Sequence, residues 1–241
     1  MRIQILELIE GAKHAEGLTV IIDVFRAFTT ECYAFAGGAL LSYPIGTMEE
    51  AFAMKKEDPN RILLGERGGA RVEGCDLGNS PYDAEQMDFS GREIVHSTSA
   101  GTQGIVRADQ AGAAPILAGA LVNAKATAAY IKKRNPERVT LVAMGNAGVS
   151  SAPEDVLCAR YIRSLLLEEA GETFDLCREL EWLRHHGAEK FFDPELREIF
   201  PPEDYPLSVS VNRFPFVLLA GKEKGRLCLR RVDVCGMDPA L

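Results

Sequence analysis

Residues 19–36 read TVIIDVFRAFTTECYAFA, and this stretch decides the fold class. The run at 19–23 is apolar and β-branched up to Asp23, the composition of a strand buried on both faces. Over 29–36 the apolar residues recur at helical spacing. A buried strand that ends on an acid and feeds a helix is half of a βαβ unit. Outward from it the same alternation continues. Residues 39–43, 61–64, 93–96, 114–117 and 139–144 read as strands, and 48–56, 104–110, 123–133 and 153–169 as helices. A further helix is expected over 173–186, a proline-rich surface excursion around 194–206, and a closing hairpin from 214–220 and 226–231 around GKEKG. The pattern predicts an α/β fold, a three-layer α/β/α arrangement with a central mixed sheet. It spans residues 1–241 as a single domain, or as two packed α/β halves at about 1–110 and 111–241.

Composition narrows the partners. The 241 residues are 46% hydrophobic and 26% charged, enough for a sizeable core, and the formal net charge is -8. Without a basic stripe to neutralise phosphates and release their counterions, nucleic acid is not an expected partner. No apolar stretch approaches the length of a membrane span, and the N-terminal run is interrupted by acids, unlike a secretory leader. The six cysteines (Cys32, Cys75, Cys158, Cys177, Cys228 and Cys235) form no CxxC pair and no zinc spacing. They read as reduced thiols of a cytoplasmic protein. A homo-oligomer is left open.

Open α/β sheets bind ligands beyond the carboxyl ends of their strands, and four segments fall there. Asp23-Val-Phe-Arg26 ends the first strand. Its carboxylate suits a hard cation and its guanidinium a phosphate, although a helix cap or a structural ion pair has the same appearance. Gly65-Glu66-Arg67-Gly68-Gly69, continued by Gly74-Cys75-Asp76-Leu77-Gly78-Asn79-Ser80-Pro81, lies in a long irregular connection over 65–90. Its glycines can bring amides close to an anion. His96-Ser97-Thr98-Ser99-Ala100-Gly101-Thr102-Gln103-Gly104 sets hydroxyls and amides at a helix N-terminus, the best physical case for phosphate binding, with ordinary N-capping as the alternative. Gly145-Asn146-Ala147-Gly148, followed by Glu154 and Asp155 in the first turn of a helix, adds two acids that the helix dipole favours in any case.

Several chemistries lack their signatures. Neither GxxxxGK[ST] nor GxGxxG is present, no cysteine is followed after five residues by arginine, and the paired aspartates of aspartyl-phosphate enzymes are missing. Arg184-His185-His186-Gly187 lies within a helical pattern away from any strand end.

The ordered motifs DVFRAFTT, GERGG, GCDLGNSP, STSAGT and PEDVLCA, over roughly residues 18–165, resemble those of the 2-phosphosulfolactate phosphatase family. The resemblance implies a magnesium-dependent acid phosphatase of α/β/α fold acting on phosphate esters of 2-hydroxycarboxylic acids. In organisms that make coenzyme M the product is sulfolactate. On this reading Asp23, Glu66 and Asp155 are the catalytic, Mg2+-side carboxylates, with Asp76 and Glu154 as substitutes. Arg26, Arg67, Asn79, Ser80, Thr98, Ser99, Gly101 and Thr102 bind a small phosphorylated carboxylate. Direct attack of water and a covalent intermediate on Thr98 or Ser99 both stay open. Two departures are evident. The hydroxyl-rich motif, TTNGT in the family, is Thr98-Ser99-Ala100-Gly101-Thr102 here, and Phe25 and Cys75 replace the usual leucine and phenylalanine. A phosphatase for another phosphorylated 2-hydroxycarboxylic acid and a non-catalytic sensor of a phosphorylated metabolite are the competing readings. After about residue 170 the likeness is loose, and no functional residue is expected there.

Overall fold

A computed structural model describes residues 1–167 and 174–234. The described chain contains strands β1 (Arg2–Glu7), β2 (Leu18–Ile22), β3 (Leu41–Pro44), β4 (Ile62–Arg67), β5 (Ala70–Arg71), β6 (Glu93–Ser97), β7 (Ile116–Gly119), β8 (Arg138–Ala143), β9 (Phe216–Glu223) and β10 (Arg226–Asp233). Its α-helices are α1 (Leu8–Lys13), α2 (Ala27–Ala36), α3 (Met48–Glu57), α4 (Pro81–Gln86), α5 (Gly101–Gln110), α6 (Ala124–Arg134), α7 (Pro153–Leu167), α8 (Leu176–His185) and α9 (Asp204–Ser208). The strands form one mixed sheet in the order β1-β8-β2-β7-β9-β10-β3-β6-β4-β5.

Two parallel sets make up this sheet, and the C-terminal hairpin joins them. β1, β8, β2 and β7 run parallel, as do β3, β6 and β4. β9 and β10 lie antiparallel between the sets, β9 against β7 and β10 against β3. Strands from before and after residue 110 therefore interleave, since β2 sits between β7 and β8. Strand periodicity produces the layers. In β2, Ile21 faces one buried cluster with Phe28 of α2 and Ile105 of α5, while Val20 and Ile22 face another with Ile131 of α6 and Leu157 and Ile162 of α7. In the second set Leu63 and Val95 pack with Met54 of α3, and Ile62, Leu64 and Ile94 point to the opposite face. Both faces are covered, which is why these strands read as continuous apolar runs.

The expected strands and helices are found with their ends shifted by a few residues. The connection over 65–90 is more ordered than its composition suggested. Gly68 and Gly69, at φ +60° and +86°, turn β4 back as β5, and the Ser80 hydroxyl caps α4 by accepting the Asp83 amide with Pro81 in the first turn. β1 and α1 had no counterpart in the sequence reading, because the acids in that run mask its alternation. Residues 168–169 of the helix expected over 153–169, residue 173 of the one expected over 173–186, and Cys235 lie outside the described residues. Cys32, Cys75, Cys158 and Cys228 are buried free thiols, whereas Cys177 is exposed. Among the described residues no helix is long and apolar enough to cross a membrane.

The close packing of α5 on β2 gives a direct test. A Cβ on Gly104 would lie 2.5 Å from Met144 Sδ and 2.7 Å from Ile21 Cγ2. Gly104→Ala is expected to lower stability by about 1–3 kcal/mol through overpacking, measured by urea unfolding.

Candidate active site

The carboxyl ends of β2, β4, β6 and β8 meet around a cavity of about 290 Å3. Asp23, Glu66, Glu154 and Asp155 line it, together with Arg26, Asn79, Ser99, Ala100 and the turn Gly145-Asn146-Ala147. All four acids are less than a tenth exposed.

Three of these carboxylates are held in place by main-chain amides. Asp23 Oδ1 accepts from Ala27 N at 3.1 Å and Oδ2 from Gly101 N at 2.8 Å, which joins α2 to the start of α5. Glu66 Oε1 accepts from Ser99 N at 2.6 Å and Oε2 from Gly69 N at 2.7 Å. Asp155 Oδ1 accepts from Val24 N at 2.7 Å and Oδ2 from Gly145 N at 2.8 Å. Each acid ties one strand end to another. Glu154 differs: its carboxylate has its own main-chain amide and Lys190 beside it, with Nζ 3.9 Å from Oε1.

Burial, with crowding of like charge, shows in the titration of three of the acids. Burial, then repulsion from Glu66, outweighs the amide donors and raises Asp23 to about 6. Burial, with repulsion from Asp23 and Glu189 outweighing the help of Lys190, raises Glu154 to about 7. Asp155 is pushed up by burial and by Asp23 and Glu154.

The hydroxyl-rich loop does something other than what its sequence suggested. The Ser99 and Gly101 amides are turned onto Glu66 and Asp23, so they are not available to phosphate. The buried Thr98 and Thr102 hydroxyls lie 3.2 Å apart and cap α5, each accepting the other residue's amide. Ser80 is spent on the α4 cap and on Asp204, at 2.6 Å, and faces a neighbouring cavity. Arg67 is exposed and bonded to Ser97 and to the carbonyl of Glu66, off the main cavity. Of the expected substrate-binding residues, Arg26, Asn79 and Ser99 line the cavity and Arg67, Ser80, Thr98, Gly101 and Thr102 do not. Gly101 serves by being small, since a Cβ there would lie 2.8 Å from Asp23 Oδ2.

The proline-rich stretch lies on the surface, with Pro194, Glu195, Arg197 and Glu198 exposed, yet it also straps the site and brings Phe200 to the cavity wall, and Lys190, just before it in the chain, reaches the same wall. Its anchor is Asp204, fully buried, which accepts from Arg26 Nη1 at 2.7 Å, from Ser80 Oγ and from the Tyr82 amide. Arg26 also donates through Nη2 to Gly69 O at 2.7 Å and lies 4.8 Å from the centre of the Phe200 ring. Lys190 Nζ stands over the rings of Phe25, Phe191 and Phe200 at 5.2–5.6 Å, a cation held at an apolar wall beside Glu154. Sequence reading missed Lys190, Phe200 and Asp204 because nothing local marks them.

Whether magnesium suits this site follows from the donors. Carboxylate oxygens are hard ligands, and the mutual repulsion of Asp23, Glu154 and Asp155 is what a bound cation relieves. Among the described residues, however, no three His, Cys, Asp or Glu side chains are grouped so as to hold one ion. Asp23, Glu66 and Asp155 share the cavity without forming a three-carboxylate ligand set. The donor set fits a magnesium ion carried by one or two carboxylates, with water and substrate completing its shell.

Asp204→Ala, which strands the buried Arg26 charge, is expected to cost about 3–5 kcal/mol in denaturant unfolding. The raised Glu154 carboxyl favours the folded state below about 4.5 and loses that contribution as pH climbs towards 7. In chelator, Glu154→Gln should therefore gain roughly 1–3 kcal/mol on the parent protein between pH 4.5 and 7.5, read from paired urea curves.

Comparison with known proteins places the chain among relatives of one family. Residues 3–190 match the family model described as 2-phosphosulpholactate phosphatase. A protein of Carboxydothermus hydrogenoformans named "Probable 2-phosphosulfolactate phosphatase" is 42% identical over 70% of this chain and 69% of its own length. Similar proteins with the same name from Caldicellulosiruptor saccharolyticus, 34% identical over 76% of this chain and 75% of theirs, and from Bacillus subtilis, 32% identical over 78% and 79%, also match.

Proposed function

Because the chain belongs to the 2-phosphosulfolactate phosphatase family, we propose that it is a magnesium-dependent phosphatase that hydrolyses 2-phosphosulfolactate to sulfolactate and inorganic phosphate. The observation that carries this reading is the cavity in which four buried carboxylates face Lys190 and Asn79. A pure anion-binding module gains nothing from acids around its ligand unless a cation intervenes.

Asp23 and Glu154 would hold the magnesium ion. Asp23 is fixed by two amides of other residues, and Glu154 has its own amide and Lys190 beside it. When bound, magnesium neutralises charge on the phosphoryl oxygens and lowers the pKa of its water. Glu66 and Asp155 keep the loops of β4, β6 and β8 in register around the reacting group. Lys190 supplies positive charge to the substrate's anionic groups. Arg26 does not serve as a free phosphate clamp, because Asp204 and the Gly69 carbonyl occupy it, and it holds the strap closed instead. Phe25 and Phe200 exclude water on that side.

A second reading, a phosphatase for another phosphorylated 2-hydroxycarboxylic acid, is favoured by one residue. Ala100 lines the cavity at the position where the family motif carries an asparagine, so that amide is missing from the cavity wall.

Phosphate release from 2-phosphosulfolactate and 2-phospholactate, each with magnesium and with chelator, tests both. Magnesium-dependent release is expected, falling on the order of a hundredfold or more in Asp23→Asn. Lys190→Met should raise KM about tenfold. Faster turnover of 2-phospholactate would favour the second reading. Release that persists in chelator would remove the metal from the account.

A further inference from the structure

The strap separates two cavities. Phe200 lines the reaction cavity, whereas its chain neighbours Ile199 and Pro201 line a second one of about 220 Å3, and Arg26, Gly69 and Asn79 belong to the walls of both. The partition is built around the Phe200 ring. The Arg26 guanidinium stands over it at 4.8 Å from the ring centre, and Arg26 Nη2 donates to Gly69 O at 2.7 Å. Gly69, at φ +86°, lets the ring edge come close, since a Cβ there would lie 2.4 Å from Phe200 Cζ. Phe200 lies beyond the residues that match the family model.

The ring also stands next to the cation that serves an anionic group. Arg26 is held by Asp204 and by the Gly69 carbonyl, which leaves Lys190 for that purpose. Lys190 Nζ is 5.2 Å from the centre of the Phe200 ring, so a group bound at Lys190 has the ring beside it. Without the ring, the vacated space would face two cations, Lys190 and Arg26, and would open towards the second cavity. That cavity is mixed in charge, with Arg71 set against Asp83 and Glu198. It offers room more than a strong field.

We propose that Phe200 is a specificity-determining residue, which together with Arg26 and Gly69 closes the reaction cavity against the neighbouring one and so limits the substrate to acids with a short anionic tail. The proposal rests on the phosphatase reading for the reaction. Phe200 takes part in no chemical step. It acts by occupying the space into which a longer tail would extend, and a hydrophobic wall of this kind discriminates by size at roughly ten- to a few-hundredfold.

Two phosphate esters test it on the full chain with magnesium present, that of malate and that of 2-hydroxyadipate, whose anionic tail is two methylenes longer. The parent protein should turn over the malate ester with the higher kcat/KM, by about tenfold or more. Phe200→Ala should raise the ratio of long to short ester about tenfold, with Phe200→Leu in between. A parent protein that accepts both esters equally, or a Phe200→Ala variant that loses activity on both in the same proportion, would overturn the proposal. If Phe200→Ala does not fold, the smaller shift expected of Phe200→Leu decides. If the parent protein releases phosphate from neither ester, the phosphatase reading fails, and titration calorimetry with the same two esters judges the partition by itself. Tighter binding of the short ester by the parent, with a narrower gap in the variant, would support it, and an unchanged gap or no binding would contradict it.

Discussion

Six main-chain amides and three buried carboxylates hold this site together. Loops that leave the ends of β2, β4, β6 and β8 carry N–H groups with no strand partner, and burying such groups unpaired is costly. Asp23, Glu66 and Asp155 accept from them in pairs, each carboxylate reaching a segment far from it in sequence. The cost is a cluster of negative charge under low solvent exposure, visible in the raised Asp23, Glu154 and Asp155. That one constraint fixes the loops, makes the cavity acidic and makes a cation its natural complement.

The strap depends on the same economy of pairing. Arg26 opens α2 directly after Asp23, and its charge is buried. Asp204 neutralises it from 178 residues away, so the segment that looks most like solvent-exposed chain is bound at its centre to the site. Lys190 and Phe200 reach the cavity as a consequence of that anchor. A cation beside buried acids in one cavity suits a phosphate ester with a bound divalent ion.

How far the sequence discloses this depends on the range of the interaction. Periodicity reveals β2, α2, β8 and α7 because burial on two faces or one stripe is a local pattern. The convergence of the segments at Asp23, Glu66, Thr98 and Glu154 is legible from the rule that strand carboxyl ends share a crevice. What is illegible is the direction of hydrogen bonds. A glycine and hydroxyl loop before a helix reads identically whether its amides face a ligand or, as at Ser99 and Gly101, a carboxylate from elsewhere in the chain. Thr98 and Thr102 are hidden for the same reason, since a mutual cap uses the residue types that anion binding uses. Asp204 and Lys190 carry no local mark.

The central claim is that the acidic cavity is a cation site that works together with an anionic substrate. Anomalous diffraction from crystals grown with Mn2+ in place of Mg2+, with sulfolactate and phosphate present, tests it most directly. The account predicts one anomalous peak within bonding distance of Asp23 and Glu154, with product oxygens completing its shell and Lys190 on the anion. A cavity without a peak at saturating Mn2+, or a peak outside it, would contradict the account.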